Sequence, residues 1–87
     1  LIVNKNYQDA LNIYKQVSEN AEKPKVNARA AHNAAMVYEV LGEIDLAIEW
    51  AQKAITMGNK STRHYLAVLQ QRKADDAKAK EQLKEIR

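Results

Sequence analysis

Apolar residues recur at steps of three and four along most of the chain, and the pattern is interrupted at its only proline, Pro24, and its only two glycines, Gly42 and Gly58. Steps of three and four follow one face of an α-helix. Several short strands would need many more turn residues than these. The sequence therefore predicts an all-α fold of four or five antiparallel helices, formed by a single domain over all 87 residues.

The boundaries of these helices follow from the periodic segments and from the residues that flank them. The predicted ranges are 6–18, 28–41, 44 to a stop at Gly58, and a region that begins at 61. Asn27 is expected to cap the second helix and Ser61 the fourth, because short polar side chains accept hydrogen bonds from the first helical amides. The region 61–87 allows one long helix or two. Asp75 or Asp76 could cap a fifth helix, which favours a break near residue 74.

Alanine dominates the predicted core. The chain has 14 alanines and no phenylalanine, so we expect a thin core between closely spaced helices. Trp50, Tyr14, Tyr38 and Tyr65 could form an aromatic binding platform, but their helical spacing favours packing between helices. We therefore expect these four aromatic residues to belong to the core.

An internal repeat links the first and third predicted helices. Residues Tyr7, Ala10, Leu11, Tyr14 and Val17 match Ile44, Ala47, Ile48, Ala51 and Ala54 at a constant displacement of 37 positions. This displacement is close to the period of about 34 residues found in helix-turn-helix repeats, with a short insertion at Pro24.

The stretch around Gly42 resembles a tetratricopeptide repeat. The similarity lies in small residues and a tyrosine on one helix, a glycine at the turn and alanines on the next helix: Ala31, Ala34, Ala35, Tyr38, Gly42, Ala47, Ala51 and Ala54. The resemblance implies a fragment of a right-handed α-solenoid, with the second helix of a partial repeat at 1–23, a complete repeat at 28–61, and a partial repeat with a capping helix at 62–87. More loosely, residues 38–72 are similar to the C-terminal repeat segment of bacterial cell-envelope lipoproteins of unknown function, which implies a cell-envelope location.

The same resemblance implies a peptide-binding concave face. Its expected residues are Arg29, His32, Asn33 and Met36 from one helix and Arg63, Leu66 and Gln70 from another. Arg29 and Asn33 are four residues apart and therefore adjacent on a helix. Together with Arg63 they could hold a carboxylate or an acidic peptide through charge-assisted hydrogen bonds. The alternative is that Arg29 and Arg63 are simply solvated.

The sequence gives little support for catalysis, metal binding or membrane insertion. There is no cysteine, and His32 and His64 lack the spacing of a metal site, so surface or interhelix positions are expected for both. We find no glycine-rich phosphate loop or nucleophile elbow and no apolar run of about 18 residues. We therefore expect no enzyme activity, no cofactor, no bound metal, no small-molecule substrate and no transmembrane helix.

These observations predict a non-catalytic module that binds a protein or peptide segment in a helical groove. One alternative is a structural segment that caps a longer repeat protein or self-associates through exposed apolar faces. Another is nucleic-acid binding by the basic C-terminal helix, but acidic residues are mixed with the basic ones there, and the net charge is only +3. The chain begins at Leu1 without an initiating methionine, so we expect a shortened or processed product.

Overall fold

The structure, a computed structural model, describes the backbone of residues 2–20 and 22–86 and the side chains of residues 6–19 and 22–83. This part of the chain forms four helices and no strand: α1 (Ile2–Asn20), α2 (Pro24–Val40), α3 (Ile44–Thr56) and α4 (Thr62–Ile86). Each helix packs against the next one along the chain. The predicted all-α fold is confirmed, with four helices.

Helix α2 begins earlier than predicted, at Pro24. A proline fits the first helical position, because its fixed φ suits the helix and its missing N–H would have no partner there. Lys23 precedes it with extended backbone, and its carbonyl accepts hydrogen bonds from the N–H groups of Val26 at 3.0 Å and Asn27 at 3.1 Å. The prediction of Asn27 as the cap is therefore wrong. Asn27 lies inside α2, where its Oδ1 is buried without a partner among the described residues.

The two glycines end α2 and α3 as predicted. Gly42 has φ +81° and Gly58 has φ +113°, in the left-handed region that side chains with a Cβ rarely adopt. The reversal at Gly42 lets the N–H of Glu43 bond to the carbonyl of Tyr38 at 2.9 Å. At Gly58 the N–H of Asn59 bonds to the carbonyl of Ala54 at 2.9 Å. Both bonds close the last helical turn over carbonyls that would otherwise lack a partner.

Helix α4 differs from the prediction at its start and in its length. Ser61 does not cap it, because its Oγ donates to Asn59 Oδ1 at 2.6 Å instead. The predicted break near residue 74 is also wrong, since α4 is continuous from Thr62 to Ile86. Alanine, lysine and glutamate are strong helix formers. Asp75 accepts a hydrogen bond from Gln71 Nε2 at 2.9 Å across one turn, so it supports the helix instead of interrupting it.

Small residues bring α2 and α3 close together in the core. The fully buried alanines are Ala31, Ala34 and Ala35 of α2 and Ala47, Ala51 and Ala54 of α3. Leu11 of α1 and Leu69 of α4 extend this cluster on either side, and Tyr38 and Trp50 are its buried aromatic residues. Tyr14 and Tyr65 pack against it from positions that are only partly buried. The prediction that these aromatic residues serve packing is confirmed.

Side-chain neighbours fix the directions of the helices. The end of α1 lies beside the start of α2, since Val17 and Val26 line one cavity, so these two helices are antiparallel. Helix α4 runs alongside α2 in the same direction, because Thr62 contacts His32 and Tyr65 contacts Glu39. Every described side chain from residue 70 to residue 83 is exposed. The C-terminal half of α4 therefore extends away from the core.

Candidate functional site

A surface groove of about 660 Å³ lies between the first three turns of α2 and the connection from α3 to α4. It is lined by Pro24, Lys25, Ala28, Arg29, His32, Asn33, Met36, Met57, Gly58, Asn59, Lys60 and Ser61. We call it the basic groove. Its volume lies within the range of about 300–1,000 Å³ that is usual for ligand sites.

Among the described residues, three cations and no carboxylate line the basic groove. Lys25 and Arg29 are four residues apart on one face of α2, and Lys60 faces them from the α3–α4 connection. All three residues are exposed. Among the described residues, none of the three forms an ion pair. Their positive potential is therefore available to an anionic ligand.

His32 lies at the inner wall of the basic groove. Its Nδ1 and the Thr62 Oγ1 form a hydrogen bond of 2.9 Å, and the Thr62 side chain is completely buried. The ring of Tyr65 lies 5.0 Å from the imidazole, between centroids, at a tilt of 51°. Burial lowers the pKa of His32 from its ordinary value because it disfavours the charged imidazolium. At neutral pH, His32 therefore presents a neutral ring to the groove.

A polar network behind His32 holds α4 against α2. The Tyr65 hydroxyl donates to Glu39 Oε1 at 2.7 Å, and Arg72 Nη1 donates to Glu39 Oε2 at 3.1 Å. Burial, followed by the hydrogen bond to Glu39, raises the pKa of the Tyr65 hydroxyl, so this group is a stable donor. The network fixes the start of α4 and hence the position of the preceding connection that carries Lys60.

The structure separates the predicted concave-face residues into two groups. Arg29, His32, Asn33 and Met36 line the basic groove together. The other three residues, Arg63, Leu66 and Gln70, are not among its lining residues. Arg63 and Gln70 are exposed on α4, and Leu66 is partly buried against the core. Arg63 therefore does not line the basic groove together with Arg29.

The prediction from the sequence did not include several groove residues, because they lie in a connection or at the start of a helix. Lys60 and Asn59 follow Gly58, where helical periodicity gives no information about direction. Lys25 lies outside the predicted helices, in the interruption around Pro24. Gly58 could have indicated that Asn59 and Lys60 belong to the groove, because a chain reversal after α3 brings the next residues back towards α2.

Two smaller cavities lie on the other side of α2, between it and α1. One, of about 250 Å³, is lined by Ile13, Tyr14, Val17, Val26, Arg29, Ala30 and Asn33. The other, of about 210 Å³, is lined by Tyr7, Tyr14, Asn33, Met36, Val37 and Val40. Asn33 lines both of these cavities and the basic groove as well. It therefore lies on a ridge of α2 between a basic surface and an apolar one.

The described residues contain no cluster of three or more histidine, aspartate or glutamate side chains able to hold a metal ion. In the same part of the chain, no helix has both the length and the apolar character needed to cross a membrane.

The fold and the groove define a small all-helical protein with a basic surface cleft. A family model described as domain of unknown function (DUF6340) matches residues 1–85, and the chain belongs to this family. Comparisons with curated proteins and with solved structures find no match.

The family match corrects the resemblance to the tetratricopeptide repeat. The matching model is that of DUF6340 and not one of that repeat family, so this assignment, with the looser similarity to cell-envelope lipoproteins, is wrong. The resemblance was misleading because the residues that carried it are not specific to one family. Alanines on facing helices and a glycine at the turn are what any two closely packed antiparallel helices require. Ala34, Ala51 and Gly42 meet those requirements of packing and turn geometry without marking a particular family.

Proposed function

We propose that this protein binds an acidic peptide segment of another protein in the basic groove and catalyses no reaction. The observation that carries the proposal is the set of three exposed cations, Lys25, Arg29 and Lys60, around a groove whose described lining residues include no carboxylate. Charge complementarity of this kind steers an anionic partner to the site and favours it over neutral ones.

The groove also offers groups for the rest of a peptide. Asn33 and Asn59 carry amides that can both donate to and accept from a peptide backbone. Met36 and Met57 supply flexible apolar surface, which adapts to different side chains. The ligand that suits this combination is a short segment with acidic residues and at least one apolar residue.

The proposal is tested by the fluorescence anisotropy of a labelled peptide that alternates glutamate with leucine. The groove variant is a Lys25→Glu, Lys60→Glu double substitution, and the matched control is Lys78→Glu, Lys80→Glu on the exposed end of α4. Both change the net charge equally. Circular dichroism checks that both are helical. We expect the groove variant to weaken binding on the order of tenfold, because each exposed charge contributes up to about 1 kcal/mol, and the control to bind like the wild type.

Equal loss in both variants would contradict the proposal, because it would mean that net charge and not the groove controls binding. A labelled single-stranded oligonucleotide tests the nucleic-acid alternative in the same assay. Binding of the oligonucleotide that is lost in the α4 variant and kept in the groove variant would favour that alternative.

A further inference from the structure

Of the described residues that line the basic groove, His32 is the one whose side chain titrates near neutral pH. Its Nδ1 is paired with Thr62 Oγ1 at 2.9 Å. Among the described residues, its Nε2 has no hydrogen-bond partner and is not buried. Because His32 lines the groove, this second ring nitrogen is available to a ligand there.

The Thr62 hydroxyl can serve His32 in either protonation state, because a hydroxyl both donates and accepts. It can donate to the Nδ1 of a neutral imidazole, which leaves the ring hydrogen on Nε2. It can also accept from the Nδ1–H of an imidazolium. The Thr62 side chain is completely buried, so it holds the ring in one place. Protonation of His32 can therefore keep the His32–Thr62 bond and change the charge of the ring.

The surroundings of His32 oppose its imidazolium in the free protein. Burial lowers the pKa of His32, because it disfavours the charged ring. The cations of the groove act in the same sense, since like charges disfavour one another. Lys25 and Arg29 lie on the same helix as His32, and Lys60 faces α2 from the α3–α4 connection. A bound anion would offset these positive charges.

The groups that α4 places near His32 supply no free negative charge. Tyr65 packs against the imidazole, with 5.0 Å between the ring centroids. Burial, followed by the hydrogen bond to Glu39, raises the pKa of the Tyr65 hydroxyl, which therefore stays uncharged. The Glu39 carboxylate is held by Tyr65 at 2.7 Å and by Arg72 at 3.1 Å. Since no carboxylate is among the described lining residues, a negative charge beside His32 in the groove has to come from a ligand.

We propose that the basic groove takes up one proton from the solvent, on His32, when an acidic peptide binds, and that it therefore holds this peptide more tightly at mildly acidic pH than at neutral pH. The inference rests on the proposed function and adds its regulation. Peptide carboxylates favour the imidazolium, and its Nε2–H can donate to one of them in a charge-assisted hydrogen bond. The coupling is reciprocal, so acid strengthens peptide binding by the same factor by which the peptide favours the proton.

The other side chains involved do not account for such a dependence on pH. Between about pH 5.5 and about pH 7.5, lysine and arginine stay charged and glutamate stays ionised. Protonation of a few glutamates near the lower limit would weaken binding, which is the opposite effect. The second histidine of the chain, His64, is exposed and is not among the lining residues of the groove. It therefore provides the matched control.

The first test measures binding of the labelled glutamate–leucine peptide, blocked at both ends, by fluorescence anisotropy at about pH 7.5 and about pH 5.5. We expect the wild type and His64→Gln to bind about three- to tenfold more tightly at the lower pH, since a pKa raised by one unit corresponds to at most about tenfold. His32→Gln has a polar side chain that does not titrate, so its affinity should change by less than about twofold. Circular dichroism at both pH values checks that all three proteins are helical.

The second test follows the proton on His32 directly. The ring signals of the two histidines are titrated by NMR in the wild type, with and without saturating peptide, and the His32→Gln variant assigns them. We expect the peptide to raise the pKa of His32, while the His64 signals titrate alike in both samples. A His32 titration that the peptide leaves unchanged would overturn the inference.

The outcomes separate this inference from the proposed function. Suppose that Lys25→Glu, Lys60→Glu weakens peptide binding, but the wild type binds equally well at both pH values or His32→Gln keeps the full pH dependence. The peptide then occupies the groove without a proton on His32, so the inference is overturned and the proposed function stands. If the peptide does not bind, or binds the groove variant as it binds the wild type, both are overturned.

Discussion

The Tyr65 hydroxyl donates a hydrogen bond of 2.7 Å to Glu39 Oε1 and thereby joins α4 to α2. Arg72 holds the second carboxylate oxygen at 3.1 Å, so both oxygens of Glu39 are paired with α4. Glu39 lies about two helical turns after His32, and Tyr65 lies about one turn after Thr62. The Tyr65–Glu39 contact is therefore close to the wall of the basic groove. The relative position of α2 and of the α3–α4 connection therefore depends on a polar contact as well as on the alanine core.

Removing the Tyr65 hydroxyl tests this contact. We expect Tyr65→Phe to lower the free energy of unfolding by about 1 kcal/mol, the usual net value of one hydrogen bond. Tyr14→Phe removes the same atom from a tyrosine that has no side-chain hydrogen bond among the described residues, and it should change stability by less than about half as much. Urea unfolding, followed by the fluorescence of the single tryptophan, Trp50, measures both. Equal losses would show that the Tyr65–Glu39 contact contributes nothing specific.

Gly58 is expected to tolerate substitution poorly because of its backbone and not for lack of space. A Cβ there would meet no atom within 4 Å, but the residue has φ +113°. We expect Gly58→Ala to destabilise the protein by about 1–2 kcal/mol, and Gly58→Asn by less, because asparagine enters the left-handed region more readily. Urea unfolding measures the difference. An alanine variant as stable as the wild type would show that the turn relaxes to another conformation.

The close approach of α2 and α3 makes the buried alanines sensitive to added volume. Ala51 is completely buried. We expect Ala51→Leu to lower the free energy of unfolding by about 1–3 kcal/mol, since a packed core accepts extra methylenes only by shifting. Ala77→Leu makes the same change at an exposed position of α4, where about 0.5 kcal/mol or less is expected. A stable Ala51→Leu variant, measured by thermal unfolding, would mean that α2 and α3 separate easily.

The sequence predicted the parts of the fold that depend on local physical constraints. Gly42 and Gly58 mark helix ends because the left-handed backbone there strongly favours glycine, and the alanine stripes mark the buried faces because helical periodicity is strict. The cap at Asn27 and the break at Asp75 were wrong for a different reason. A short polar side chain is compatible with both a cap and a helix interior, so tertiary packing and the neighbouring Pro24 decide between them.

The candidate site was only partly predictable, because some of its residues are brought together by tertiary structure and not by their spacing on one helix. Arg29, His32, Asn33 and Met36 share a face of one helix, so their grouping follows from spacing alone. Lys60 joins them because the connection between α3 and α4 lies beside α2, whereas Arg63 is exposed on α4 and does not line the groove. The position of one helix or connection beside another is not encoded in the spacing of residues along a single helix.

The pH dependence of stability should report on His32. Burial lowers the pKa of His32 in the folded protein below 6.5, the value for an unperturbed histidine. As the pH falls, the unfolded chain therefore binds a proton at a higher pH than the folded protein does. Stability therefore rises with pH in this window. His32 should contribute fully above about pH 6.5 and progressively less as the pH falls through the folded pKa. We expect the free energy of unfolding, measured with urea between about pH 8 and pH 5, to decrease over the acidic half of that range.

His32→Gln should flatten this decrease, while His64→Gln, at an exposed position, should preserve it. A decrease of equal size in the His32→Gln variant would mean that other groups cause it and that the imidazole can be charged at its place beside Thr62 without loss of stability.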